Sequence, residues 1–166
     1  MDRRLFLSQA ATGLAATGLG SIALAADHKK SHKHVEAKKV SKKLATLNRA
    51  HRKTLIAALA DGLPPAEACI EHCRRSLAKG DKSLAECQSQ VLNMVAVMEA
   101  TRKVVTYDHT DEAAQTALVK SCFRFCTLCR ESCKPHIKHH KECKDCFQAC
   151  EACIAACKKY LGTMAA

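Results

Sequence analysis

The 166 residues contain no tryptophan, two tyrosines and four phenylalanines. So few large rings cannot fill a conventional core. They also leave no aromatic platforms among the basic residues on which nucleic-acid bases could stack. Glycine (six) and proline (three) are scarce, and β-branched runs are short, which excludes the turn-rich, strand-rich classes. No apolar run suits a membrane span in a mature chain. The C-x2-C-x2-C-x3-C-P run of bacterial ferredoxins and the C-x-x-C-H signature of covalent haem are both missing. No nucleophile and base stand at a recognisable spacing, so the chain is not read as an enzyme.

What is abundant is charge and cysteine. Lys and Arg number 27 against 16 Asp and Glu, a net charge of +11. The basic residues are spread over prospective helix faces and an N-terminal tail, which describes a solvated basic surface and not a nucleic-acid footprint. Nine of the twelve cysteines fall between Cys122 and Cys157. Cys122, Cys126, Cys129 and Cys133 are spaced by four, three and four; Cys143, Cys146, Cys150, Cys153 and Cys157 by three, four, three and four. At about 100° per residue each set occupies an arc of roughly 60–80° on a helix. The chain therefore places two stripes of thiols on faces that helices turn toward their neighbours. The expected fold is all-α: a four-helix bundle with an additional N-terminal helix.

In chain order, residues 1–25 resemble a twin-arginine (Tat) export signal: Arg3-Arg4, then Phe6, a mild apolar stretch, and Ala23-Leu24-Ala25 as a cleavage site. The expectation is export to the periplasm. Residues 26–35 form a His- and Lys-rich tail whose Ala26-Asp27-His28 start is a candidate Cu(II) chelate. Residues 36–62 make an amphipathic helix with Leu44, Leu47, His51, Leu55 and Leu59 on one face and Gly62 as its cap. The bundle spans 63–162. Its first helix opens at Pro64-Pro65 and carries Cys69, His72 and Cys73. Its second follows a Ser83–Glu86 capping box, with Cys87, Met94 and Met98 on one stripe. The third opens near Thr110, and the fourth ends at Leu161 before Gly162. His136, His139 and His140 crowd the connection between these last two.

Three chemistries compete for the thiols. A disulfide scaffold fits the even count and an oxidising destination, but i, i+4 Cβ atoms stand about 5–6 Å apart, beyond the roughly 3.5–4.5 Å a bridge requires. Zinc requires four ligands converging on a point, which one helix face cannot supply. Cu(I) is soft and accepts two or three thiolates. About one monovalent ion per thiolate also neutralises a buried sulfur array, whereas zinc leaves it negative. The Cys69-Ile70-Glu71-His72-Cys73 motif and the two stripes resemble the bacterial copper storage proteins, in particular their Tat-exported branch, over about Pro65 to Tyr160.

The resemblance implies a bundle filled with many Cu(I) ions and commonly a tetramer. It implies as Cu(I) ligands Cys69, Cys73, Cys87, Cys122, Cys126, Cys129, Cys133, Cys143, Cys146, Cys150, Cys153 and Cys157. It implies His72 as the histidine near the bundle mouth, and puts Met98 where the family tends to have cysteine; Met94 shares that stripe as a soft candidate ligand. The resulting expectation is a copper store or detoxification sink, with copper-delivering or copper-receiving proteins as possible partners, no nucleic acid, and no membrane span. A periplasmic thiol/disulfide protein, or a copper chaperone of low stoichiometry, is the alternative.

Overall fold

The computed structural model describes the backbone of residues 30–107 and 111–164, and the side chains of 42, 43, 45–107 and 111–163. The expected signal peptide and the Ala26-Asp27-His28 chelate lie outside the described residues. Four helices follow one another: α1 (Lys30–Ala78), α2 (Ala85–Thr106), α3 (Glu112–Cys133) and α4 (Lys141–Met164). The pairs in contact are α1 with α2, α2 with α3, α3 with α4 and α4 with α1. This is an up-down-up-down square, with α1 diagonal to α3 and α2 diagonal to α4. The all-α four-helix expectation is met, and no described helix is long and apolar enough to cross a membrane.

The additional N-terminal helix is not a separate element. It runs through Pro64-Pro65 into the first bundle helix without a break, and Lys30 to His34, expected as tail, already belong to it. Two prolines inside a helix leave the carbonyls four residues earlier without N–H partners. Those belong to Ala60 and Asp61, both exposed, so water can satisfy them. The inward face meanwhile buries Leu55, Leu59, Ala66, Cys69 and Cys73 on both sides of the prolines. Burial on that scale, about 1.5–3 kcal/mol per large apolar side chain, holds the helix together across its weakest point.

Three further local expectations change. Asp81 caps the turn before α2, accepting from the Ser83 N–H at 3.0 Å and its hydroxyl at 2.7 Å; Ser83 is the capped residue and not the cap. Gly162 lies within α4 and does not end it. Gly62, expected as a helix cap, is a packing glycine. A Cβ there would stand 2.9 Å from Met98 Cε and 3.1 Å from Cys153 Sγ. Gly62→Ala should therefore leave stability within about 1 kcal/mol, since gained helix propensity offsets a shift of the flexible Met98 tip. Gly62→Leu should cost about 1–3 kcal/mol by overpacking. Urea unfolding of the copper-free protein measures both, and a leucine tolerated without loss would mean the two helices do not meet closely there.

At the end away from the connections Ala78–Ala85 and Cys133–Lys141 the bundle closes on polar contacts. Tyr160 donates its hydroxyl to Gln115 Oε1, and Gln115 Nε2 donates to the Val104 carbonyl at 3.4 Å. Arg52 Nε reaches the Val105 carbonyl at 2.6 Å, supplying a donor to the last turn of α2.

Candidate metal centre

All twelve cysteines are free thiols and all are buried, none more than 1 % exposed. α1 and α3 run one way and α2 and α4 the other, so residues equally far along each helix from Cys73, Cys87, Cys133 and Cys143 share a layer, at ~1.5 Å per residue. The first layer is those four thiols. The second holds Cys69, Cys129 and Cys146 with Val91. The third holds Cys126 and Cys150 with Met94 and Ala66, and the fourth Cys122 and Cys153 with Met98 and Gly62. The fifth has Cys157 beside Leu59, Thr101 and Val119. Beyond it Leu55, Val105, Gln115 and Tyr160 carry no sulfur. The thiols thin from four per layer to none, from one end of the bundle to the other.

The contacts follow these layers. Cys87 and Cys133 sulfurs stand 3.5 Å apart, Cys129 and Cys146 3.7 Å, and Cys69 is 4.0 Å from both Cys87 and Cys143. Cys69, Cys73, Cys87 and Cys143 have sulfurs within 4.8 Å of one another; so do Cys69, Cys133 and Cys146, and so do Cys129, Cys146 and Cys150. These are Sγ separations wide enough to admit an ion and far beyond the ~2.05 Å of a disulfide. Deeper in, Cys122 meets Cys126, Cys157 and the Thr101 hydroxyl, and Cys126 also meets Cys153. The sequence spacing predicted stripes on single helices. The fold turns those stripes inward so that thiols of all four helices converge, which no one helix could do.

The thiols do not ionise alike. Hydrogen bonds from Cys126 and Cys157, with a smaller one from Thr101, draw Cys122 down to about 4 against the cost of burial. Cys133, Cys143 and Cys69 hold Cys87 low, and Cys129, Cys133 and Cys150 hold Cys146 low. Their donors move the other way. Cys126 is pushed up by donating to Cys122 and Cys153 and by burial, and Cys69, Cys133, Cys150 and Cys157 are likewise held up by donated hydrogen bonds and burial. Each group of thiols thus contains one sulfur prepared to be an anion, which is the form that binds a metal.

Both candidate methionines lie inside, each 1 % exposed. Cys150 points its thiol at the Met94 thioether, 3.2 Å away; the Met98 methyl lies beside Gly62 and Cys153. Cys153 also donates to the Ala58 carbonyl at 3.2 Å. His72 is half-buried at the four-thiol end. Its Nε2 is 2.9 Å from His140 Nδ1 and its Nδ1 3.5 Å from Glu142 Oε2. His136 stacks at an angle on His140, ring centroids 6.0 Å apart. His140 and Glu142 are the residues the sequence reading undervalued: a loop histidine 68 positions from its partner gives no periodic signal, only its proximity to Cys143. His51, on the expected apolar stripe, is half-buried, with no hydrogen-bond partner at Nδ1, and is not among the thiol groups.

Two comparisons with known proteins bear on this centre. Among solved structures, the chain matches the copper storage protein Ccsp from Streptomyces lividans loaded with 10 copper equivalents, with a TM-score of 0.66 and 24% identity over 72% of this chain and 89% of that one. It also matches a cytosolic copper storage protein from the same organism with five coppers, with a TM-score of 0.65 and 24% identity over 70% of this chain and 97% of that one. At that identity the likeness establishes the fold. A comparison with curated protein sequences returns no match. The description of the second relative as cytosolic corrects the periplasmic localisation read from Arg3-Arg4, Phe6 and Ala23-Leu24-Ala25. That reading rested on a short local string outside the described residues, while the thiol-lined core carries no mark of its compartment. The model of a protein family, described as copper storage protein, matches residues 48–162, the stretch that holds every thiol layer described above, and the chain belongs to that family.

Proposed function

We propose that this bundle takes up Cu(I) as cargo to about one ion per cysteine, held by thiolates that bridge neighbouring ions across the layers. Copper storage follows from membership of the family; the stoichiometry and the ligand set are the proposal. The observation that carries it is the burial of twelve free thiols from four helices in one core, eight of them converging into groups with sulfurs within 4.8 Å. Empty, most of these thiols are neutral and pack as small hydrophobes. Filled, every sulfur is a thiolate matched by a monovalent ion, so the cost of uncompensated buried charge is avoided. His72, with His140 and Glu142 beside it, is read as the first contact for an ion arriving at the four-thiol end, and Met94 and Met98 as soft neutral sulfurs that line the path inward without adding to the count. Exposed Leu47 and Leu92 agree with a homo-oligomer, a tetramer by family resemblance, which sedimentation equilibrium would read.

The test is an anaerobic titration of the reduced protein with Cu(I) against a chromophoric chelator. The expected outcome is competition until about twelve ions are bound, one for each cysteine in the chain. Saturation at one or two ions would replace storage with chaperone-like delivery. The same titration on His72→Ala should keep the capacity and slow the uptake; an unchanged rate removes His72 from the path.

A further inference from the structure

Going inward, the lining changes character between the second and third layers. α1 contributes Cys73 and Cys69 and then Ala66, Gly62 and Leu59; α2 contributes Cys87 and then Val91, Met94, Met98 and Thr101. From the third layer on, every thiol belongs to α3 or α4. The eight thiols of the converging groups lie toward the mouth, and Cys122, Cys126, Cys153 and Cys157 lie beyond them. The sulfur that α2 places at this boundary is the Met94 thioether. It reaches across the diagonal of the square to within 3.2 Å of Cys150 Sγ, the innermost member of the Cys129–Cys146–Cys150 group.

We propose that Met94 is a transfer ligand that passes Cu(I) from the eight mouth-side thiols to the four deeper ones. The proposal rests on the storage reading. Exchange at a two-coordinate Cu(I) proceeds through a three-coordinate state, in which the incoming sulfur binds before the outgoing one leaves. Where the layers hold three or four thiols, that third sulfur is always at hand. At the third layer only Cys126 and Cys150 remain, on adjacent helices, and the thioether opposite completes the set. A thioether suits transit better than residence: it is soft, carries no charge, and holds no proton that must be displaced. Its neutrality keeps it from trapping the ion, which moves on to Cys126 or Cys153 as that thiol gives up its proton and the thiolate the ion leaves behind takes one up. Met98, one helical turn further and beside Cys153, continues the same sulfur edge.

Met94→Leu conserves volume and should cost under about 1.5 kcal/mol, so it removes the sulfur and little else; Met94→Ile serves if the leucine packs badly. The reduced full-length protein is mixed anaerobically with Cu(I), quenched at intervals with an alkylating reagent, and its unprotected cysteines are located by mass spectrometry. In the wild type the eight mouth-side thiols become protected first and the four deeper ones follow. In Met94→Leu the mouth-side rate and the final copper count are expected unchanged, while protection of Cys122, Cys126, Cys153 and Cys157 slows about tenfold or more. Three results overturn the proposal: deep thiols filling at the wild-type rate in the variant, deep thiols filling first in the wild type, or one ion fewer at saturation with unchanged rates, which makes Met94 a resident ligand. A wild type that stops at one or two ions fails differently, removing the storage reading and the transfer step together.

Discussion

Copper loading should raise the unfolding temperature of this protein by roughly 25–50 °C. The copper-free bundle has a narrow apolar core: Leu55, Leu59, Leu84, Val91, Val105, Val119 and Ile154 are its large buried aliphatics, and much of the remaining interior is thiol and thioether. A thiol contributes as a small hydrophobe, so the empty protein is an ordinary domain of about 5–15 kcal/mol. A ligand that binds only the folded state stabilises it by about 4 kcal/mol at a thousand times its dissociation constant. The unfolded chain also binds Cu(I), because i, i+3 and i, i+4 cysteine pairs survive unfolding as local chelates, and the differential per ion is correspondingly smaller. What unfolding destroys is the bridging between helices, such as Cys87 to Cys133 and Cys129 to Cys146. At about 1 kcal/mol per ion, twelve ions add about 12 kcal/mol, and each kcal/mol moves a domain of this size by about 2–4 °C. Anaerobic calorimetry of the empty and loaded protein checks it. Equal transition temperatures would mean that copper sits on cysteine pairs within single helices and bridges none.

The stripes at 122–133 and 143–157 were legible because a three-four step admits only one helical interpretation, and twelve cysteines with so few aromatics leave little else to form a core. The spacing on α1 and α2 was legible for the same reason. Continuity through Pro64-Pro65 was not. Local propensity puts a helix start there, and only the tertiary burial of Leu55 and Leu59 on one side and Cys69 and Cys73 on the other decides against it. Gly62 misled in the same direction: a glycine before two prolines reads as a cap, yet its missing Cβ is occupied by Met98 and Cys153, neighbours far away in the chain. The thinning of thiols toward the Tyr160 end is a property of antiparallel register. It can be computed from the sequence once the four helices are aligned on Cys73, Cys87, Cys133 and Cys143, but nothing local announces that alignment. His140 came within reach of His72 only because two connections meet at one end of the square.

Alkaline pH should unfold the empty protein and spare the loaded one. Cys69, Cys126, Cys133, Cys143, Cys150 and Cys157 are held above the ordinary thiol range, by hydrogen bonds to neighbouring thiols and by burial. In the unfolded chain the same thiols ionise near pH 8.5. Above that value the unfolded state has released six protons that the folded state retains, so stability falls as pH rises. The contribution of these thiols is complete below about pH 8.5 and is lost on the way up. Six thiols at about 1.4 kcal/mol per pH unit give a slope of about 8 kcal/mol per unit, enough to exhaust a stability of about 5–15 kcal/mol within about two pH units. Cys122, drawn down to about 4, and Cys87 and Cys146, also held low, act with the opposite sign: their contribution is complete above about pH 8.5 and is lost as pH falls, which places the stability maximum of the empty protein near pH 8.5. Copper removes the alkaline limit, because a thiolate already bound to Cu(I) has no proton to release. Helix content followed by circular dichroism from pH 7 to 11 should show a cooperative loss near pH 10 for the empty protein and none for the loaded one. An empty protein that keeps its helices to pH 11 would mean that its core thiols titrate in place, with water or counter-ions reaching the interior that the bundle encloses.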